Sequence, residues 1–283
     1  MYSRAKYIDK IFEKIGFVVT YSCIFLLLIL FVIILIKGIG RLNISFLTSL
    51  PSRFPEKAGI LTPMFGTLWI LILTTIFAFP LGVAAGIYLE EYMKKSRFTN
   101  IIEINISNLA GVPSIIYGLL GLEIFVRIFK FGPTILSGSL TLTLLILPII
   151  IVATRESIRA VPQTIKDASY ALGASKWQTI WFHVLPAAFG GILTGVILAI
   201  SRAVGEAAPL IVVGALAYVP FIPSSPFDEF SVLPIQIFNW ISRPQKEFII
   251  NASAAIVILL VITIMLNNIA IYFRNRWQKK LKF

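Results

Sequence analysis

Arg202, Glu206 and Pro209 are spaced i, i+4 and i+7 in a stretch, 184–227, with no other charged residue. On a continuous helix that spacing places all three on one face. The forked donors of a guanidinium match two oxygens of a tetrahedral oxyanion, so Arg202 is a candidate anion contact. Glu206, one turn away, would neutralise it between passages. An arginine at mid-bilayer depth costs roughly 2.5 to 3.5 kcal/mol on insertion scales, which a paired carboxylate offsets in part. Pro209 cannot donate to the Gly205 carbonyl, so a kink and an unpaired acceptor are expected beside the pair. All three are expected to point into a helix bundle and to line a substrate pathway. A structural ion pair that locks this helix to a neighbour is the other reading.

Further polar residues lie in apolar surroundings. Asn105 and Asn108 share a helical face, and Pro113 interrupts the helix ahead of Ser114 and Tyr117. These residues read either as further pathway lining or as ordinary hydrogen bonding between helices. Arg155 and Glu156 close an apolar run and read as interfacial, with the arginine snorkelling to the headgroups. His183 is the only histidine, which leaves it as an interfacial residue rather than a metal ligand. The pairs Gly82/Gly86 and Gly191/Gly195 fit small-xxx-small helix contacts.

The elements that carry these residues follow from composition. The chain is 58% hydrophobic and 13% charged over 283 residues, with mean hydropathy +0.90. An average soluble domain carries about 25% charged residues. Charge-free runs at 17–36, 58–89, 104–122, 131–154, 184–201 and 248–273 each reach the ~18 residues needed to cross a bilayer. The fifth continues past Arg202 and Glu206, and is expected to form one helix over 187–217 with a charged centre. The expected organisation is an N-terminal tail, first span and external loop over 1–61, then a permease unit over 62–273. Within that unit the spans fall at about 63–89, 104–126, 131–154, 187–217 and 249–273. A basic tail, 274–283, follows. The fold class is an all-α integral membrane protein of about six spans.

The net charge of +12 would suggest nucleic acid in a soluble protein; here its distribution reports topology instead. Sixteen of the 25 Lys and Arg fall in the two termini and the segments 90–100 and 155–186, against eight on the opposite side. Both termini are therefore expected in the cytoplasm. The first run is longer than a signal-peptide core and no small-x-small cleavage pattern follows it, so it is expected to be retained as an anchor. The lone Cys23 can form no intrachain disulfide.

The cytoplasmic segment 155–186 has helical punctuation. Pro162 suits a first helical position, and Ile165, Ala168, Ala171 and Leu172 mark an apolar face. Gly173 fits a left-handed stop. Ser175 and Gln178 have capping-box spacing for a second short helix carrying Trp177, Ile180, Trp181 and Val184, which Pro186 is expected to break. The pattern predicts a helix-turn-helix elbow beneath the membrane. From periodicity alone, an amphipathic hairpin on lipid headgroups is equally consistent.

The segment "DASYALGASKWQTIWFHVLP" resembles the EAA loop of type I ABC importer permeases, with Asp167, Ala168, Ser169, Gly173, Leu185 and Pro186 at the motif positions. His183 departs from that pattern, which favours an apolar residue there. "FPLGVAAGIYLEEY", "NLAGVPSIIYGLLGL", "LAISRAVGEAAPLIVVGA", "LPIQIFNW" and "NNIAIYFRNR" are similar to the A-type permease subunits of phosphate-specific (Pst) importers, a likeness spanning about 63–276. The resemblance implies a MetI-like permease fold in the cytoplasmic membrane, with the elbow coupling to an ATPase. It further implies a heterodimer with a C-type permease subunit, two copies of a cytoplasmic ATPase and an external phosphate-binding protein. It implies no cofactor in this chain and no enzymatic activity. Independently, the absence of any Gly-Lys dipeptide excludes a P-loop, so energy must come from a partner, and a single histidine excludes HExxH. Another oxyanion such as molybdate, sulfate or phosphonate is the alternative substrate. A non-transporting scaffold is the alternative function.

Overall fold

The computed structural model describes residues 2–94, 96–216 and 218–280, without the side chains of 2–5, 7, 8 and 277–280. Residue 217, where the fifth span was expected to end, and 281–283 of the basic tail lie outside the described residues. The regular elements of the described residues are helices, in the order α1 (Tyr2–Ile39), α2 (Ile44–Thr48), α3 (Leu61–Ile87), α4 (Arg97–Leu109), α5 (Ser114–Gly121), α6 (Ile135–Arg159), α7 (Gln163–Ala171), α8 (Lys176–Thr179), α9 (Leu185–Val204), α10 (Ala208–Val213), α11 (Leu233–Ile241) and α12 (Glu247–Lys280). By length and composition five of the described helical stretches can cross a membrane, or six if the bent pair of α4 with α5 counts as one span.

The core is built on α6, which lies between α3 and α9. Leu142, Leu145, Ile146 and Ile150 are buried there with Ala188, Ile192 and Val196 of α9. Close approach depends on the two glycine pairs: a Cβ on Gly82 would fall 2.5 Å from Ile150 Cγ2, one on Gly86 2.6 Å from Thr154 Cβ, while Gly191 and Gly195 meet Ser157 and Ala153. These are the small-residue contacts expected where lipid supplies no hydrophobic drive between helices. Several hydroxyls within α6 bond to their own helix, Thr141 donating to Ser137 O and Thr143 to Ser139 O, as an apolar medium favours, whereas the buried Thr154 hydroxyl has no partner among the described residues.

A second cluster of Phe46, Ile60, Leu233, Trp240 and Phe248 forms a cap at the opposite end of α3 from Tyr88. The segment 218–232 folds back into the bundle, its Asp228 and Pro226 carbonyls accepting from Ile135 N and Leu136 N at the start of α6. α1 packs on α12 and leaves its apolar surface outward.

Two expected spans are not single helices. The third is bent by 101° between α4 and α5. Pro113 has no N–H to continue α4 and disfavours helix at the residue before it, so the chain turns through Ala110–Pro113. The Tyr117 hydroxyl donates to the Leu109 carbonyl (2.8 Å), satisfying one acceptor that the end of α4 leaves free. The fifth ends at Gly205 and resumes as α10, which closes on Gly214 at φ +107°. Pro209, expected to kink a continuous helix, instead occupies the first turn of a new one, where its missing N–H costs nothing.

Candidate functional site: the elbow and the α9–α10 junction

The elbow forms as its local signals dictate, with one shift: Pro162 precedes the first helical residue, Gln163. Gly173 is left-handed at φ +83°. Its N–H reaches Tyr170 O and the Ala174 N–H reaches Ser169 O, which together make a Schellman stop. Ser175 and Gln178 cap each other reciprocally at the start of α8. Ser169 and Thr179, both buried, share a hydrogen bond of 2.9 Å that clasps α7 to α8. Pro186 does not break the second arm. A π-helical turn at Ile180–Val184 leads without interruption into α9, and Pro186, which has no N–H to continue the regular ladder, follows directly on that wider turn.

Ile180 and Val184 of the elbow's apolar face are buried, Val184 in the bundle core, while the rest of its apolar surface is turned outward. Leu172 is 90% exposed, and Trp177, Trp181 and Phe182 are all more than half exposed, the two tryptophans stacked at 5.5 Å. Asp167 and Ala168 are on the same open side, Asp167 accepting from Gln163 Nε2 at 3.1 Å. His183 shares a groove with Leu172, Gly173, Gln178 and Phe182. Leu185 and Pro186 are half-buried at the root of α9.

Ionic contacts tie this elbow to the bundle. Lys166 Nζ meets Glu91 Oε1 at 2.5 Å with both side chains largely buried. Arg155 is buried, against the snorkelling expectation, and bridges Glu103 of α4 (2.5 Å) and Glu90 (3.4 Å). Arg159 adds contacts to Glu90 (2.9 Å) and Glu156 (3.1 Å). Snorkelling is overridden because two carboxylates meet the guanidinium inside the fold, which removes the incentive to reach headgroups. Lys166, Glu90, Glu91 and Glu103 were not among the residues singled out from sequence. Their only sequence signal is that unpaired carboxylates cluster at the ends of apolar runs.

At the α9–α10 junction Arg202 Nε donates to Glu206 Oε1 at 3.3 Å, with side chains 38% and 18% exposed. The pair closes over the end of α9 rather than along a continuous helix, and the arginine is in the last turn, where its charge suits the helix C-terminus. Pro209 does not share its face. It is buried, and a Cβ on Gly118 of α5 would come 2.8 Å from Pro209 Cα. Arg202 lies on the open surface of this chain rather than inside its bundle: α9 ends at Val204 and α10 starts at Ala208, so the continuous helical face expected to carry Arg202, Glu206 and Pro209 inward does not form. Tyr117 directly precedes Gly118, the residue of α5 that meets Pro209. Ser114 begins α5, half-buried. Asn105 and Asn108 are exposed on α4, beyond the bend, and the Asn105 amide donates to Ile101 O of its own helix at 2.7 Å. The structure thus gathers Arg202, Glu206, Tyr117 and Pro209 near one junction and leaves the two asparagines on another helix. Among the described residues no group of three or more His, Cys, Asp or Glu could hold a metal ion.

Comparison with known proteins places this arrangement. Residues 78–280 match the family described as "Binding-protein-dependent transport system inner membrane component". The "Probable ABC transporter permease protein YqgI" of Bacillus subtilis (strain 168) is 35% identical over 255 residues, 85% of this chain and 86% of that protein. The "Phosphate transport system permease protein PstA" of Haemophilus influenzae is 35% identical over 229 residues, 80% of each chain. In fold, the chain is similar to a subunit of the MetNI methionine ABC transporter in an inward-facing conformation (TM-score 0.62, 17% identity, covering 76% of this chain and 94% of that one). A chain of a bacterial alginate ABC transporter is similar to the same degree (TM-score 0.62, 13% identity, 91% and 95%).

Proposed function

We propose that this chain, which belongs to the family of binding-protein-dependent transport system inner membrane components, is the multi-pass permease subunit of an ATP-driven importer of inorganic phosphate. The observation that carries this reading is the elbow: a capped helix pair clasped to the bundle on one side and presenting exposed Leu172, Trp177 and Phe182 on the other. An exposed apolar patch on a rigid mount is what a protein partner needs, and the chain has no nucleotide loop of its own. Substrate rests on the PstA relatives. The Arg202 guanidinium, exposed at the helix junction and held by Glu206, supplies donors suited to a tetrahedral oxyanion.

In the assembled importer this chain pairs with a C-type permease subunit, stands on two copies of a cytoplasmic ATPase and receives phosphate from an external binding protein. Both termini and the elbow face the cytoplasm, following the Lys/Arg asymmetry. The chain itself carries no cofactor and catalyses no reaction. The pathway runs past Arg202 and Glu206, with α5 and Ser114 beside it. Co-purification from detergent separates this reading from a non-transporting scaffold: an ATPase chain retained by the wild type and lost when Leu172 and Phe182 are changed to Asp supports it. Retention by that variant at wild-type level contradicts the elbow's role.

A further inference from the structure

The α3 helix ends in a π-helical turn, Tyr88–Tyr92, and this turn receives both arms of the elbow. Glu91 takes Lys166 of α7, and the Tyr92 ring lies 5.0 Å beneath Lys176 Nζ of α8. The neighbouring Glu90 takes Arg155 and Arg159 of α6, and Arg155 continues to Glu103 of α4. An inserted residue in a helix changes the direction in which successive side chains leave it, and such turns recur at functional sites. Here the change lets two adjacent carboxylates serve different elements.

These charges are withdrawn from water: the side chains of Glu91, Lys166, Arg155 and Glu90 are 6%, 12%, 6% and 14% exposed. Buried ion pairs contribute little net stability compared with apolar packing, but an unmatched member is strongly unfavourable. Their effect is to fix one geometry, which in this case is the angle between elbow and bundle. The far end of the network is also defined. α4 passes through its bend into α5, the bend is tied by Tyr117 to Leu109, and α5 rests on Pro209 beside Arg202 and Glu206.

We propose that Lys166 and Glu91 form the joint through which displacement of the elbow reaches the bundle, with Glu90, Arg155 and Glu103 carrying it to α4. Both are positioning residues: neither contacts substrate or nucleotide. The inference rests on the reading of this chain as an ATP-driven permease and adds the joint that transmits the stroke.

The test uses the complete importer in vesicles, with ATP hydrolysis and anion uptake measured together. Lys166→Met combined with Glu91→Gln leaves no unmatched buried charge, so the complex assembles and hydrolyses ATP. Its uptake per ATP falls on the order of tenfold, the size of a typical coupling free energy. Exchanging the charges, Lys166→Glu with Glu91→Lys, restores the link and recovers most of that ratio. A neutral double variant that keeps the wild-type ratio of uptake to ATP would overturn the joint. The ratio is measured with whichever oxyanion the wild-type complex carries, so a substrate other than phosphate would correct the substrate reading while leaving this test intact.

Discussion

Arg202 Nε and Glu206 Oε1 lie 3.3 Å apart across the end of α9, on a surface that is open in the single chain. That separation is longer than a typical charge-assisted hydrogen bond, and the guanidinium retains donors that Glu206 does not occupy. Arg202→Lys keeps the charge and loses the fork. A charge-assisted hydrogen bond is worth roughly 1.5 to 3 kcal/mol, so uptake should fall about ten- to hundredfold while insertion is normal. Wild-type uptake by the lysine variant would remove bidentate contact from the account.

Arg202→Met combined with Glu206→Gln removes both charges and leaves no unmatched partner. The double variant should fold, assemble with its partners and still fail to move phosphate. If the pair is only structural, this variant transports normally, since the neutral replacement leaves neither charge without its partner. Anion uptake in vesicles reads the difference.

At Gly173 the φ of +83° sets the angle between α7 and α8, and nothing lies within 4 Å of where a Cβ would stand. Gly173→Val therefore acts through the backbone and not through a clash. Left-handed geometry costs an L-residue about 1 to 2 kcal/mol. ATPase association measured by co-purification should weaken, with insertion unchanged.

The Gly118 contact with Pro209 predicts a stability effect instead. A methyl group there would fall 2.8 Å from Pro209 Cα, between two backbones that cannot rotate aside. Gly118→Ala should lower the thermal midpoint of the purified protein, with an overpacking cost of roughly 1 to 3 kcal/mol. An unchanged midpoint would mean that α5 and α10 separate easily.

Asp228 has its carboxyl pKa lowered, first by hydrogen bonds from the backbone N–H groups of Ser224 and Ser225. A depressed folded pKa contributes stability above the unfolded value and loses it as pH falls through the folded one. Protection of the Ser224 and Ser225 amides, corrected for intrinsic exchange, should hold down to about the ordinary carboxylate range and drop below it. Asp228→Asn should show no such step.

How far the sequence could be read depended on the range of the interactions involved. The elbow was legible because its signals are local: Gly173 for the stop, Ser175 with Gln178 for the cap. Hydropathy located the spans for the same reason. Helix ends set by tertiary contact were harder. Pro113 and Pro209 announced irregularity, but whether each would give a kink, a 101° bend or a full stop depends on what packs against the freed backbone. The sequence around Arg155 points to snorkelling because its partners Glu90 and Glu103 are 65 and 52 positions away and share no period with it. The joint of Lys166 and Glu91 was invisible on the same ground.

The most direct test of the phosphate reading is uptake of radiolabelled phosphate by vesicles containing the complete complex, with ATP inside and excess competing oxyanions outside. Uptake that requires ATP, and that unlabelled phosphate suppresses while molybdate and sulfate do not, is the predicted result. ATP-dependent uptake of molybdate or sulfate in preference to phosphate would contradict it.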